Sequence, residues 1–148
     1  MQKSFRRPPP RGSCRVDSFA PKTDFLEPEK RGSGLPSLKE IVALEPSSSP
    51  ALTQGSGGAH RVEGIGIGSV PPHMADRPYD EARTVDEADA RAMAKQLARE
   101  EGLLVGTSSG LNIAGAVQLA NELGPGKTVA TVAVDTGLKY LAGDLFKQ

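Results

Sequence analysis

Residues 101–123 read EGLLVGTSSGLNIAGAVQLANEL, and this segment contains one complete unit of the predicted fold. It opens on a short apolar run, Leu103–Val105, which is a strand candidate. The small and hydroxylated residues 106–110 follow, and helical periodicity then predicts a helix from about Gly110 to Leu123. One face of that helix is predicted to carry Ile113, Ala116, Val117 and Ala120. The order strand, loop, helix is one unit of an α/β sheet.

The same alternation extends towards the amino terminus. Residues 41–45, IVALE, form a strand candidate that Pro46 ends. Thr84 and Glu87 have the spacing of a capping box in front of a second helix. That helix has an apolar stripe with helical spacing, formed by Ala90, Met93, Ala94, Leu97 and Ala98. Gly102 is its predicted end.

The same alternation also extends towards the carboxyl terminus. Thr128–Val134 is apolar or small throughout, without the polar alternation of a half-exposed strand. Such a run predicts a strand buried on both faces of a parallel sheet. A last short helix is predicted from Leu138 to Phe146. Together these elements predict an α/β fold with a partial parallel sheet.

Composition excludes several classes of protein. The chain has 148 residues, about one domain, and its 18 basic and 18 acidic residues leave no net charge, which argues against a nucleic-acid binder. A single cysteine excludes an internal disulfide framework and a cysteine-rich zinc module. No apolar run approaches the roughly 20 residues of a membrane-spanning helix. We expect no metal site and a cytoplasmic location.

Residues 1–40 differ in character from residues 41–148. The first segment has a net charge of +4 and the second of −4, and eight of the 12 prolines lie within the first 60 residues. Residues 1–40 have neither the apolar centre of a secretory signal nor the amphipathic helix of a transit peptide. We therefore expect residues 1–40 to be disordered or aberrant, and residues 41–148 to form the domain.

Two glycine-containing segments are candidate ligand sites. Gly64, Gly66 and Gly68 alternate along one loop, but the following residues, SVPP, block the helix that a dinucleotide fingerprint requires. These glycines indicate either a turning backbone or a ligand-lining loop. Ser108 and Ser109 precede the helix that begins near Gly110. Either serine could be its N-cap, or the loop could bind a ligand at the end of a strand.

The remaining polar candidates have ordinary structural explanations. His60 and His73 lack the spacing of metal ligands and are predicted to be loop or surface residues. Cys14 has no neighbouring histidine and is predicted to be an incidental thiol. Asp135 could line a pocket or cap a helix. The acidic residues Asp80, Glu81, Asp86, Glu87 and Asp89 are predicted to form a loop and a first helical turn.

Four motifs together resemble the cysteine synthase family. In order, they are IVALEP at 41–46, HRVEGIGIG at 60–68, EGLLVGTSSG at 101–110 and VDTGLKYL at 134–141. This family, related to cystathionine β-synthase, consists of pyridoxal-phosphate enzymes of the tryptophan-synthase-β fold type. The resemblance covers the carboxyl-terminal portion of such an enzyme.

The resemblance implies roles for three residues. Ser108 matches the family serine that hydrogen-bonds the pyridine nitrogen of pyridoxal phosphate. Gly64 and Gly66 match the loop that closes near the cofactor and substrate. A neutral hydroxyl at the ring nitrogen restrains the electron-withdrawing power of the cofactor, which suits β-replacement. The implied reaction converts O-acetylserine and sulfide to cysteine, so the partner is a small amino-acid substrate.

The chain also departs from the family pattern. Neither the lysine that carries the cofactor nor the glycine-rich loop that holds its phosphate has a match, and residues 20–40 are rich in proline and charge where that loop is expected. No catalytic residue is therefore assigned. We expect an inactive fragment, truncated or frame-shifted. The alternatives are an interaction module or one half of a split enzyme. The possible protein partners are a complementing amino-terminal half or a second copy of the chain, because the family is usually dimeric.

Overall fold

The computed structural model describes residues 40–147, so the disorder expected for residues 1–40 lies almost entirely outside the described part. Two strands and three α-helices organise these residues. The strands are β1 (Val42–Pro46) and β2 (Glu81–Val85). The helices are α1 (Ala51–Gln54), α2 (Glu87–Gln96) and α3 (Thr107–Leu123).

The two strands pair in parallel, with Val42 opposite Glu81 and Pro46 opposite Val85. This pairing confirms the α/β fold class and the strand predicted near residues 41–45. Sequence analysis missed β2 because its charged residues resemble a loop. Arg83 forms ion pairs with Glu81 at 2.7 Å and with Glu122 at 2.6 Å, which keeps these charges on the solvated side of the strand.

Helix α2 begins at Glu87, and the carboxylate of Asp86 caps it by accepting a hydrogen bond from Ala88 N at 2.7 Å. The predicted capping box is therefore wrong, because Thr84 lies in β2. The apolar stripe is confirmed, since Ala90 and Ala94 are fully buried. The helix continues into a π-helical turn, Leu97–Glu101, and ends at Gly102 as predicted, with φ of 70°.

Helix α3 begins three residues earlier than predicted, at Thr107. Its buried face carries Leu111, Ala114 and Gly115, while Val117 on the predicted apolar face is 45% exposed. Small residues decide which face packs, because they allow close approach. A Cβ atom at Gly110 would collide with the carbonyl oxygen of Ala90 and lie 3.1 Å from Ala94 Cβ.

Two apolar clusters flank the contact between α2 and α3. The first contains Val62, Val85, Ala90, Leu111 and Ala114, and the second contains Ala94, Val105, Tyr140 and Leu145. Both clusters lack large aromatic side chains apart from Tyr140 and the partly buried Phe146. Within residues 40–147, no helix combines the length and apolar character that a bilayer span requires.

Three predicted elements are wrong. Leu103–Val105 forms only an isolated antiparallel bridge between Val105 and Thr136, and the predicted helix at 138–146 is reduced to a 3₁₀ turn, Gly137–Tyr140.

The third predicted element that is wrong is the buried strand at 128–134. Residues 128–134 form no strand, and Val132 and Val134 are 65% and 62% exposed. A buried parallel strand needs neighbours on both sides. Here the side chains of α3 hold the segment instead: Asn112 Nδ2 donates to Val132 O at 3.1 Å, and Val134 N donates to Ser109 Oγ at 2.9 Å.

The close contact at Gly110 predicts an inverted response to substitution. Replacing a helical glycine by alanine ordinarily stabilises a helix by about 1 kcal/mol. We expect Gly110→Ala instead to lower the free energy of unfolding by about 1–3 kcal/mol, because α2 must move. Ala120→Gly, at an exposed position of the same helix, is the control and should cost about 1 kcal/mol. Urea unfolding measures both changes, and stabilisation by Gly110→Ala would contradict the packing described.

Candidate functional site

The first turn of α3 is buried although it is rich in hydroxyl groups. Residues 105–111 are all buried, including Thr107, Ser108 and Ser109. The N-cap residue is Gly106, which has no side chain to offer, so neither Ser108 nor Ser109 caps the helix. This removes the capping explanation of these serines. A buried hydroxyl group requires a partner or access to a ligand, and the three residues meet this requirement differently.

Ser109 ties the carboxyl-terminal segment to the helix. Its Oγ accepts hydrogen bonds from Val134 N at 2.9 Å and from Asp135 N at 3.3 Å. Its own proton faces the oxygens of Asp135, at 3.4–3.5 Å. The role of Ser109 is therefore structural.

The hydroxyl group of Ser108 differs from those of its two neighbours, because it has no partner among the described residues. The residue is 6% exposed, and no group within residues 40–147 forms a hydrogen bond with its Oγ. Among the same residues, no fully buried side-chain oxygen or nitrogen lacks a partner. Ser108 Oγ therefore retains accessible surface in an otherwise buried turn. It lies at the amino terminus of a 17-residue helix, where unpaired backbone N–H groups create a partial positive charge.

The alternating glycines form a loop that turns at each of them. Gly64, Gly66 and Gly68 have φ of +84°, +62° and +87°, in the left-handed region that favours glycine. This confirms the turning backbone predicted from their spacing. Their surroundings differ, however. A Cβ atom at Gly64 would meet nothing within 4 Å, whereas one at Gly66 would lie 2.6 Å from His60 Nε2.

The local packing of Gly66 therefore already explains why it is glycine. Its carbonyl oxygen accepts hydrogen bonds from Ser49 Oγ at 2.9 Å and from His60 Nε2 at 2.8 Å. His60 also accepts from Val62 N through Nδ1, at 3.2 Å. The histidine is thus a half-buried loop residue, in line with its predicted loop role. Gly64 faces open space and stays the better candidate for lining a ligand.

One hydrogen bond brings the glycine loop and the serine turn together. Glu63 N donates to Thr107 Oγ1 at 3.1 Å, although the two residues are 44 positions apart in sequence. Gly64 and Ser108 each follow one partner of this bond. Two of the segments that sequence analysis singled out separately therefore border one region of the structure.

Sequence analysis missed the role of Tyr140, which lies against the same turn. Its hydroxyl donates to Asp135 Oδ2 at 3.0 Å, and Lys139 Nζ lies 3.2 Å from the same oxygen. Burial, followed by the hydrogen bond to Asp135, raises the pKa of the Tyr140 phenol. Asp135 does not cap the following turn, because Thr136 Oγ1 accepts from Leu138 N at 3.3 Å. The five-residue spacing of Asp135 and Tyr140 gave no periodic signal.

Gly106 allows the Asp135 carboxylate and the Tyr140 phenol to approach the amino terminus of α3. A Cβ atom there would collide with Asp135 Oδ1 and lie 2.6 Å from Tyr140 Cε2. The N-cap position is therefore glycine because the carboxylate and phenol side chains occupy the space of a side chain.

Curated relatives match most of the chain. The chain is 44% identical over 107 residues to the cysteine synthase of Staphylococcus aureus, covering 72% of this chain and 34% of the relative. It is 41% identical over 106 residues to the probable cysteine synthase of Bacillus subtilis, with coverage of 72% and 34%. The chain thus spans about a third of the length of these relatives.

Solved structures of related enzymes also match this chain over about a third of their own length. The hydrogen sulfide-producing enzyme of Fusobacterium nucleatum is similar with a TM-score of 0.68 and 42% identity, covering 74% of this chain and 33% of that one. The cysteine synthase of Entamoeba histolytica has a TM-score of 0.67 and 31% identity, covering 74% and 32%. These similarities confirm the predicted resemblance to cysteine synthases and the fold type that it implied.

A family model for pyridoxal-phosphate dependent enzymes matches residues 30–135, which include β1, the glycine loop and the serine turn. With four motifs, a parallel strand pair and the similar structures in agreement, the chain belongs to the family of pyridoxal-phosphate dependent enzymes.

Proposed function

We propose that this chain supplies the ring-nitrogen side of a pyridoxal-phosphate site in an enzyme of the cysteine synthase type. In the proposed reaction, sulfide displaces acetate from O-acetylserine and gives cysteine. The observation that carries the proposal is the hydroxyl group of Ser108, which is buried at the start of α3 and has no partner among residues 40–147. The proposed location is the cytoplasm.

The chemistry of Ser108 fits the pyridine ring of the cofactor. A hydroxyl group can donate its proton to the ring nitrogen, whereas a carboxylate at the same place would draw a proton onto that nitrogen. The partial positive charge at the amino terminus of α3 further disfavours a protonated, cationic ring. When bound, pyridoxal phosphate withdraws electrons from the substrate, and Ser108 moderates this effect by keeping the nitrogen neutral.

Gly64 supports the same site from the loop side. Its φ of +84° and the open space around it allow a ligand to approach the backbone closely. The hydrogen bond between Glu63 and Thr107 keeps this glycine beside the serine turn. In the proposal, Gly64 lines the site and Gly66 maintains the shape of the loop.

The proposed chemistry also needs groups that the resemblance does not locate in this sequence. These are the lysine that carries the cofactor and the loop that holds its phosphate. We infer that the 148 residues alone do not catalyse β-replacement. In this proposal the chain acts with a lysine-bearing amino-terminal half, or is an inactive fragment. Its similarity to only about a third of each relative supports this inference.

A second candidate function is a non-catalytic interaction module. The observation that favours it is a set of exposed apolar side chains near the carboxyl end, namely Val132, Val134, Leu138 and Leu141, each more than half exposed. Such exposure is typical of surfaces that bind another protein segment.

A chimeric enzyme tests the proposed function. Residues 41–147 would replace the matching third of the Staphylococcus aureus cysteine synthase, and cysteine formation would be assayed. We expect the chimera to be active and the isolated chain to be inactive.

In the same chimera, Ser108→Ala should weaken cofactor binding about fivefold, as expected for the loss of one hydrogen bond of about 1 kcal/mol.

Ser108→Asp separates the cofactor role from a structural role. A carboxylate in the first turn of α3 interacts favourably with the helix, but its charge is buried, so the melting temperature is measured alongside and the comparison is made on folded protein. The absorption spectrum of the bound cofactor should change and turnover should fall. Ser56→Ala, in an exposed loop, is the control and should change neither. An active chimera in which Ser108→Asp alters neither spectrum nor turnover refutes the site, and an inactive, folded chimera favours the interaction module.

The two loop glycines form a matched pair for a second test. Alanine at either position adopts a left-handed conformation, which costs about 1–2 kcal/mol. Gly66→Ala also places a Cβ atom 2.6 Å from His60 Nε2 and 3.1 Å from Pro46 Cδ. We therefore expect Gly66→Ala to lower the free energy of unfolding of the full chain more than Gly64→Ala does.

In the chimera, Gly64→Ala should impair function more than Gly66→Ala does, when the two variants are compared on folded protein. Gly64→Ala should raise the KM for O-acetylserine or weaken cofactor binding in a protein that remains folded. Urea unfolding and steady-state kinetics give the two measurements. Equal losses of stability, or normal kinetics for Gly64→Ala, would argue against the different roles of the two glycines.

A further inference from the structure

The hydroxyl group of Thr107 lies where the glycine loop meets the serine turn. Thr107 is 1% exposed, and its Oγ1 accepts the hydrogen bond from Glu63 N at 3.1 Å. A hydroxyl group that accepts one hydrogen bond still has its own proton to donate.

Tyr140 lies against the same helix turn. Burial and the hydrogen bond to Asp135 raise the pKa of its phenol, and the neighbouring Thr107 hydroxyl opposes this by lowering it. Tyr140 is 8% exposed, and its own proton goes to Asp135 Oδ2 at 3.0 Å. The backbone N–H of Glu63 can only donate, so Thr107 Oγ1 is the acceptor in the bond that joins the glycine loop to the helix turn.

We propose that Thr107 is a positioning residue of the cofactor site, whose hydroxyl group fixes the loop carrying Gly64 against the helix turn carrying Ser108. This rests on the proposed function, since it takes Gly64 and Ser108 as two sides of one site. Thr107 acts through its neighbours and does not itself contact the cofactor.

The bond from Glu63 to Thr107 anchors the loop to a well-packed turn. In the same turn, Asp135 is tied through its backbone to Ser109, and Gly106 leaves room for the Asp135 carboxylate and the Tyr140 phenol. Removing the Thr107 hydroxyl group leaves the Glu63 N–H without this partner.

Two substitutions distinguish this role from simple packing. Thr107→Val keeps the shape and both branches of the side chain but removes the hydroxyl group. Thr107→Ser keeps the hydroxyl group but removes the methyl group. If Thr107 positions the loop, Val is the more harmful change and Ser rescues it. If Thr107 only fills space, Ser is the more harmful change.

Amide hydrogen exchange on the full 148-residue chain, without cofactor, provides the readout. In Thr107→Val we expect the Glu63 amide to exchange about five- to tenfold faster, the loss expected for one hydrogen bond. Thr107→Ser should leave its rate within about twofold of the original. The Ser47 amide, which donates to Val85 O at 2.9 Å and does not contact the Thr107 hydroxyl group, is the internal control and should be unchanged in both variants.

The proposal is overturned if Thr107→Ser accelerates Glu63 exchange as much as Thr107→Val, or if neither substitution accelerates it. If Thr107→Val does not fold, Thr107→Ala decides instead, compared with Thr107→Ser. Both substitutions remove the methyl group and only alanine also removes the hydroxyl group, so Glu63 should exchange several-fold faster in Thr107→Ala than in Thr107→Ser while Ser47 does not change. Equal Glu63 rates in these two variants overturn the proposal. Because no cofactor is present, these outcomes are independent of the Ser108 variants that test the proposed function.

Discussion

The buried amino-terminal turn of α3 is the constraint on which the rest of the described structure depends. A helix start leaves its first four N–H groups without partners inside the helix, and hydroxyl side chains add further polar groups. Here this polar turn is buried together with its N-cap, Gly106. Burial without partners would cost several kcal/mol, so the surrounding segments must supply hydrogen bonds. The glycine loop and the segment around Asp135 both meet the turn through such bonds.

The adjacent residues Thr107, Ser108 and Ser109 differ in the hydrogen bonds that they form in this turn. Ser109 holds the backbone of Val134 and Asp135, and Thr107 holds the backbone of Glu63. Ser108, between them, has no hydrogen bond within residues 40–147. The two neighbours thus create a buried turn in which the hydroxyl group of Ser108 is the one proposed to bind the cofactor. This arrangement connects the packing of the helix with its proposed chemistry.

Local patterns in the sequence predicted the elements whose stability is local. The apolar stripe of α2 and its end at Gly102 were predicted correctly, as was the turning backbone at Gly64. Patterns failed where long-range pairing decides the outcome. Residues 128–134 look like a buried strand, but in the described structure α3 side chains bind their backbone and no strand lies beside them. Strand β2 was missed because ion pairs of Arg83 allow charged residues in it.

The candidate site was predictable only in part for the same reason. Ser108 and Gly64 could be selected from their motifs, but the contact between their segments depends on one bond across 44 residues. The environments of the two serines could not be read from the sequence, because identical neighbouring side chains face different surroundings. The contribution of Tyr140 depends on the space left by Gly106, which only the folded structure shows.

In the proposed site, Ser108 keeps the cofactor ring nitrogen neutral. The ¹⁵N chemical shift of that nitrogen tests this role, using labelled pyridoxal phosphate bound to the unsubstituted chimera. We predict the shift of an unprotonated pyridine that accepts a hydrogen bond, and a constant shift across the pH range in which the protein is folded. The shift of a protonated pyridinium at neutral pH would contradict the proposed role of Ser108.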